Sequence, residues 1–217
     1  MSRPLRPLFA LGLALAATRL AAGTVVVTVK DDKGQPVADT VVSLVPLDSA
    51  AAAVPPPAEP AVVSQQGEEF TPYVTAVAVG TRVSFPNHDK IHHQIYSESP
   101  AKPFAIPLHG PGAEQTLVFD QPGIVALGCN IHDAMSAYVV ILATPHFLKT
   151  PADGTARLAD VPPGRYRLDV WHPRLKGDPR RDIVVTADTA ATQSISVSLK
   201  PDKRLRRAPD GGGGGYK

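Results

Sequence analysis

Short apolar runs separated by turn residues are the feature that most limits what this chain can fold into. The runs Thr24–Lys30 and Val37–Val45 lie on either side of the turn signal Asp31–Gly34, a pattern typical of two strands joined by a turn. Further along, Tyr166–Val170 alternates apolar and polar residues, which is the period of a half-buried strand. No segment of the sequence shows a convincing helical period. The sequence therefore predicts an all-β protein.

The single cysteine of the chain stands in a compact group of potential metal ligands. Cys129, His132 and Met135 are evenly spaced, and Met135 is the only methionine apart from the initiator. Gly128 precedes the group and the apolar run Tyr138–Leu142 follows it. This pattern predicts a strand, a short turn and another strand, so that one loop presents a thiolate, an imidazole and a thioether. A lone cysteine cannot form an intramolecular disulfide.

A second imidazole comes from a distant segment. Val83–Asn87 is typical of the end of a strand, and after a polar loop the strand resumes at Gln94–Tyr96. Two histidines, His92 and His93, lie between these segments. Because neighbouring strand residues point to opposite faces, only one of the two can face Cys129. On the residues alone, either is a candidate.

One thiolate, two imidazoles and one thioether form a characteristic donor set. In blue-copper electron-transfer sites, two His and one Cys lie in a trigonal plane and a weak Met lies on the axis. Such ligands suit both Cu(I) and Cu(II), so little needs to rearrange when an electron moves. We therefore predict that the chain binds a single copper ion and shuttles one electron.

The stretch from about residue 60 to residue 145 resembles the cupredoxins, the plastocyanin and amicyanin type of blue-copper protein. The residues that carry the resemblance are Phe70-x-Pro72, Val79-Gly80-Thr81-x-Val83-x-Phe85-x-Asn87, Phe119…Gly123…Cys129 and the Cys-x-x-His-x-x-Met loop. The resemblance implies a Greek-key β-sandwich. Within the family, Gly128-Cys-Asn-Ile-His-Asp133 is similar to a stretch of the cupredoxin-like methylamine-utilization proteins.

The resemblance also implies roles for individual residues. The spacing from Asn87 to the first ligand matches that of the family when the ligand is His93 rather than His92. The side chain of Asn87 is then expected to tie the two ligand loops together, and Asn130 is expected to lie beside the ligands. The implied metal ligands are His93, Cys129, His132 and Met135.

The segments on either side of this stretch resemble parts of one other domain. Residues 34–42 resemble the opening of carboxypeptidase regulatory-like (transthyretin-like) sandwiches, and residues 153–166 resemble their closing half. Neither segment has enough strands for an independently stable sheet. The two segments are therefore expected to complete each other.

This reasoning predicts a discontinuous domain organisation. A second, small β-sandwich is expected from residues 24–48 plus 148–199, with the copper domain 60–145 inserted between its halves. Residues 49–59 are expected to form a Pro/Ala linker. In this arrangement the strand Thr24–Lys30 should pair with a strand from the C-terminal half.

Both ends of the chain are predicted to lie outside the folded domains. Residues 1–23 combine Arg3 and Arg6 with the apolar run Leu8–Ala17, which is typical of a secretory signal peptide. The protein is therefore expected to be periplasmic or secreted. The basic, glycine-rich tail 200–217 is expected to be disordered. The alternative is that the tail makes a weak electrostatic contact with a partner.

Residues 24–199, between the leader and the tail, carry a net negative charge, because acidic residues outnumber basic ones there. No basic surface interleaved with aromatic residues is visible, so the sequence does not favour a nucleic-acid partner. Apart from the leader, no stretch is apolar over the length that a transmembrane helix needs.

Three functions are compatible with this sequence. The leading prediction is an electron-transfer protein that has a redox protein as its partner and His132 as the exit for the electron. The neighbouring residues Ile131, Ala134 and Ala137 are apolar and suit brief docking. The alternatives are a copper carrier or sensor, which passes on the metal, and a structural β-sandwich with a vestigial site. A hydrolase is not favoured, because no third group accompanies Cys129 and His132, and we expect no enzymatic activity.

Overall fold

The computed structural model describes residues 22–48, 55–187 and 189–202 of the chain. Most of the predicted signal peptide, linker and tail lies outside these residues. Every regular element of the described residues is a β-strand, which confirms the predicted fold class. No helix in this part of the chain is long and apolar enough to cross a membrane.

The strands of the described residues are short and follow one another closely. In chain order they are β1 Gly23–Asp31, β2 Val41–Pro46, β3 Ala61–Val62, β4 Ser64–Gln66, β5 Glu69–Thr71, β6 Val74–Ala78, β7 Thr81–Pro86, β8 His93–Ser97, β9 Phe104–His109, β10 Glu114–Phe119, β11 Gly123–Gly128, β12 Ser136–Leu142, β13 Phe147–Lys149, β14 Thr155–Val161, β15 Gly164–Trp171, β16 Leu175–Lys176, β17 Arg181–Val185 and β18 Ala190–Leu199.

One sandwich, called here the outer sandwich, is built from the N-terminal and C-terminal parts of the described chain. Its first sheet has the order β14-β1-β18-β16, and its second sheet has the order β13-β2-β15-β17. Strand β1 runs antiparallel to β14 and parallel to β18. Residues Thr24–Lys30 therefore lie between two strands of the C-terminal half.

The burial pattern of β1 explains why the two halves need each other. Val25, Val27 and Val29 are fully buried, since every second side chain of a strand points to the same face. They share one apolar core with Leu44 of β2 and Leu168 of β15. This core joins the two sheets and removes from water an apolar face that neither terminal segment covers alone.

The residues between these segments form a second sandwich, called here the central sandwich, with a core of its own. One of its sheets has the order β6-β12-β11-β8-β9 and the other has the order β10-β7-β3. The hairpin β4–β5 contacts β7 and β12. The rings of Phe85, Phe104 and Phe119 meet between the sheets in tilted and edge-to-face arrangements, the geometry that aromatic pairs prefer.

The two sandwiches contact each other through a small apolar and aromatic cluster. Val41 of the outer sandwich is buried together with Val74 and Val140 of the central one. The ring of Tyr138 on β12 meets the ring of Trp171 on β15 edge-on, with centroids 5.5 Å apart. The strand that follows the ligand loop is therefore packed directly against the outer sandwich.

Strand register brings the ligand segments to one end of the central sandwich. Strand β11 ends at Gly128 and β12 begins at Ser136, and these two residues are paired. Gly128 also pairs with Tyr96 of β8, the strand that begins at His93. A Cβ atom at position 128 would lie 2.8 Å from the Tyr96 ring, so any other residue at this position would have to displace that ring.

The junction between the two halves of the outer sandwich can be tested at Gly154, which has a φ of 70°. Its carbonyl accepts a 2.8 Å hydrogen bond from the Val29 amide, and a Cβ there would lie 2.6 Å from the Val29 carbonyl oxygen. Gly177 has a φ of 77° but open space around it. We expect Gly177→Ala to lower the free energy of unfolding by about 1–2 kcal/mol through backbone strain alone.

Gly154→Ala should cost about 1–3 kcal/mol more than the control, because steric overlap is added to the same strain. Urea unfolding of both variants, followed by circular dichroism, measures the difference. Equal costs would show that this turn does not pack against β1.

Candidate metal centre

Three side chains converge where β8, β11 and β12 meet. The donor atoms of His93, Cys129 and His132 all lie within 4.8 Å of one another. His93 and Cys129 are buried and His132 is partly exposed. Donors on one metal ion are separated by less than the sum of two bond lengths of about 2.0–2.3 Å, so this spacing is close to that of a coordinated set.

The loop between β11 and β12 places two of these donors. Cys129 follows β11 directly, and a hydrogen bond of 2.9 Å from the Met135 amide to the His132 carbonyl closes the loop into a tight turn. The Cys129 Sγ lies 3.8 Å from Nδ1 of His132. The Nδ1 side of His132 therefore faces the sulfur, as a shared ion would require.

The third donor, His93, is fully buried, and a carboxylate contacts one of its ring nitrogens. Its Nε2 lies 2.8 Å from Oδ2 of Asp89, while its Nδ1 is buried without a hydrogen-bond partner. The rings of His93 and His132 lie 4.9 Å apart. A buried polar atom without a partner costs about 1–3 kcal/mol, and a metal bond at Nδ1 would remove that cost. The residues present therefore fit a metal ion.

The carboxylate of Asp89 accepts hydrogen bonds from three N–H groups. Besides His93, the backbone amides of Gly67 and Glu68 donate to it at 2.6 and 2.9 Å. Burial by itself raises the pKa of Asp89, but the hydrogen bonds from Glu68, Gly67 and His93 outweigh it, so its pKa lies below the usual value. An ionised Asp89 accepts a hydrogen bond from Nε2–H of His93, which leaves the lone pair of Nδ1 free to bind a metal.

Met135 is enclosed in the protein rather than exposed at the loop surface. Its side chain is 2% exposed and belongs to the same apolar cluster as Cys129, Leu127 and Ala137. The thioether is therefore available inside the sandwich, and its role as a ligand stays a prediction.

The neighbouring histidine, His92, lies outside the cluster. Its side chain is exposed and packs over Gly110, where an added Cβ would lie 3.1 Å from Nε2 of His92. The structure thus brings His93 and not His92 together with Cys129, as strand alternation requires of one of the two.

Asn87 and Asn130 both form hydrogen bonds close to the centre. The Asn87 side-chain amide donates to the carbonyls of Ile91 and His109, and its oxygen accepts from the Asp89 amide. Asn87 therefore joins the loop before His93 to the segment at His109, a different pair of loops from the one that the resemblance implied. Asn130 donates to the side chain of Gln94 at 3.0 Å, which links the Cys129 loop to β8.

Three polar residues near the centre are missing from the sequence-based prediction. They are Asp89, described above, Glu68, whose carboxylate oxygen Oε2 lies 3.8 Å from Nε2 of His132, and Gln65. Gln65 is fully buried, and its amide nitrogen lies 3.0 Å from His109 Nε2. An acidic residue four positions before His93 is a weak local signal for Asp89. The sequence contains no local signal for Gln65 and Glu68, because the β4–β5 hairpin alone brings them to the site.

No protein-family model and no curated protein sequence matches the chain, but solved structures are similar to part of it. The copper-containing nitrite reductase NirK from Thermus scotoductus SA-01 is 28% identical, with a TM-score of 0.38, over 45% of this chain and 25% of its own length. A purple cupredoxin from Nitrosopumilus maritimus is 22% identical, with a TM-score of 0.35, over 38% of this chain and 99% of its own.

A reduced amicyanin mutant is 19% identical, with a TM-score of 0.36, over 46% of this chain and 99% of its own. The chain thus spans a quarter of the nitrite reductase and nearly all of the two small proteins. The two sheets of the central sandwich agree with the β-sandwich that the sequence resemblance implies. The carboxypeptidase regulatory-like assignment of the outer sandwich stays a prediction.

The two adjacent histidines provide a matched pair of variants for the centre. We expect His93→Ala to lower copper retention strongly, because it removes a buried donor and leaves Asp89 without its ring partner. His92→Ala should retain copper as the wild type does, since its ring lies outside the cluster. Copper content after gel filtration in a chelating buffer measures both. Loss of copper in His92→Ala alone would show that the other histidine is the ligand.

Proposed function

We propose that the central sandwich holds one copper ion at His93, Cys129 and His132, with Met135 as a weak fourth ligand, and that the protein carries single electrons between redox partners. The observation that carries this proposal is the buried Nδ1 of His93, which has no hydrogen-bond partner, in a cluster where donor atoms of His93, Cys129 and His132 all lie within 4.8 Å of one another. Copper bound there would supply a one-electron couple, because this donor set accommodates both oxidation states.

Two of the three donors lie at the ends of packed strands. His93 opens β8 and Cys129 follows β11 directly. Both side chains are buried, and Asp89 fixes the ring of His93. Donors held in this way need little rearrangement between two oxidation states, which supports electron transfer over a role in delivering copper to another protein.

His132 is the donor that reaches solvent. Its side chain is 23% exposed, whereas that of His93 is 0% exposed. Ile131 and Ala134 beside it are exposed, but Ala137 is buried, because it lies on the inner face of β12. We therefore propose that electrons leave through the edge of His132 to a redox protein that docks on Ile131 and Ala134, without Ala137.

The proposal includes an exported location and no catalytic reaction. Export rests on the leader-like sequence of residues 1–23. Cys129 is only 3% exposed, so the protein screens its sulfur from a substrate and from oxidants. A screened thiolate suits a carrier of electrons in an oxidising compartment.

Removing the thiolate tests the identity of the centre. We expect the copper-loaded wild type to show an intense visible band from thiolate-to-copper charge transfer. Cys129→Ser should abolish this band, because a hydroxyl is a harder and poorer ligand for copper. Visible absorption and electron paramagnetic resonance spectra measure the effect. A colourless wild type that retains zinc in preference to copper would contradict the proposal.

The same copper-loaded protein separates electron transfer from metal delivery. An electron carrier should pass through repeated cycles of reduction and reoxidation without losing copper to an excess of chelator. Copper that leaves the wild type on each reduction would instead support the carrier or sensor function.

The proposed weak ligand is tested by Met135→Leu. We expect the variant to retain copper and its band but to have a higher reduction potential, because loss of the thioether destabilises Cu(II) more than Cu(I). Leu and Met have similar volumes, so the free energy of unfolding of the metal-free protein should fall by less than about 1.5 kcal/mol. A redox titration measures the potential. An unchanged potential would show that Met135 is only a core residue.

A further inference from the structure

The turn of the β4–β5 hairpin has an unfavourable backbone for its sequence. Gln66 pairs with Glu69, so Gly67 and Glu68 form a two-residue turn, and their φ values are 66° and 58°. Turns of this kind favour glycine, asparagine or aspartate at both positions. A glutamate in this conformation costs about 1–2 kcal/mol relative to an ordinary backbone, and another interaction must hold it there.

The carboxylate of Asp89 supplies that interaction. It accepts the amides of both turn residues, Gly67 at 2.6 Å and Glu68 at 2.9 Å. The same carboxylate binds Nε2 of His93 at 2.8 Å. The position of the turn is therefore fixed relative to the first imidazole of the metal centre.

This turn directs Glu68 towards the second imidazole. Oε2 of Glu68 lies 3.8 Å from Nε2 of His132, and the two side chains are 31% and 23% exposed. The other ring nitrogen of His132, Nδ1, lies 3.8 Å from Cys129 Sγ. Each imidazole of the centre therefore has one nitrogen towards the other donors and the opposite nitrogen towards a carboxylate.

We propose that Glu68 is a positioning residue for His132. Its carboxylate accepts a hydrogen bond from the Nε2–H of the ring, so that the lone pair of Nδ1 points towards Cys129. The separation of 3.8 Å is in the ion-pair range and longer than an N–H···O hydrogen bond. A hydrogen bond therefore requires the Glu68 carboxylate to move slightly closer to the ring. Carboxylates that bind the outer nitrogen of a ligating histidine orient the ring and increase its basicity.

The copper part of this inference rests on the proposed function, whereas the tautomer of His132 is a property of the metal-free chain. The first measurement therefore uses metal-free protein labelled with ¹⁵N. We expect the ring nitrogens of His132 to show the Nε2–H tautomer in the wild type. Glu68→Gln should weaken that preference, and Glu69→Gln, which removes the same charge from an exposed neighbour on the hairpin, should not.

The second measurement uses copper-loaded protein. Glu68→Gln should lower the affinity for Cu(II) by about tenfold, which is the usual effect of removing such a carboxylate. It should also raise the reduction potential, because a nearby negative charge favours Cu(II) over Cu(I). The affinity and potential of Glu69→Gln should stay close to those of the wild type. Competition with a chelator and a redox titration give the two quantities.

A third variant separates positioning from folding. Glu68→Gly removes the carboxylate and also the backbone strain at this position, so the metal-free protein should unfold at the same temperature as the wild type or a higher one. Its Cu(II) affinity should fall as in Glu68→Gln. This combination of retained stability and weaker binding is not expected from a residue with a structural role only.

Three results would overturn the inference. They are equal effects of Glu68→Gln and Glu69→Gln, an unchanged His132 tautomer in Glu68→Gln, and a lower unfolding temperature for Glu68→Gly. If the wild type showed the charge-transfer band in any of these cases, the proposed function would stand and only the role of Glu68 would fail. A wild type that lacks the band, but whose His132 tautomer changes in Glu68→Gln, would contradict the proposed function and leave the positioning role of Glu68 standing.

Discussion

The carboxylate of Asp89 is the group on which the arrangement of the candidate metal centre depends. It accepts hydrogen bonds from the two amides of the β4–β5 turn and from the ring of His93. Burial raises the pKa of Asp89, but these donors stabilise its ionised form and bring the pKa below its usual value. Because one ionised group binds a ligand on one side and a strained turn on the other, the first imidazole and the hairpin take up their positions together. Glu68 is carried into place by the same interaction.

The outer sandwich gives this centre a rigid surrounding. Its two halves come from distant parts of the chain and share one core through β1, so the central sandwich is attached to it at both of its ends. The contact between Tyr138 and Trp171 adds a third point of attachment, on the strand that follows the ligand loop. Two chain connections and a packed interface restrict how far one sandwich can move relative to the other, which suits a site whose donors should stay fixed.

Much of this organisation is visible in the sequence because it depends on local patterns. Alternation of apolar residues and the absence of a helical period predict the all-β class, since both follow from strand geometry. The three donor types around Cys129 lie within one loop, so their spacing alone groups them. The pairing of Thr24–Lys30 with the C-terminal half follows from an apolar face that its own segment does not cover. In the first two cases, few residues close in the chain carry the information, whereas the pairing also rests on the resemblance of two distant segments to one domain.

The sequence by itself determined the fold class, the ligand loop and the residue types that can bind a metal. The family resemblance already favoured His93 over His92, and the structure places His93 with Cys129. Only the tertiary structure decided that Asn87 joins the loop before His93 to the segment at His109, and that Asp89 and Glu68 lie behind the imidazoles. The bond from Gly67 to Asp89 spans 22 residues of chain, and such contacts depend on how hairpins and sheets pack. The physical reason is that periodicity reports which face a side chain occupies, whereas the partner across that face is set by long-range strand register.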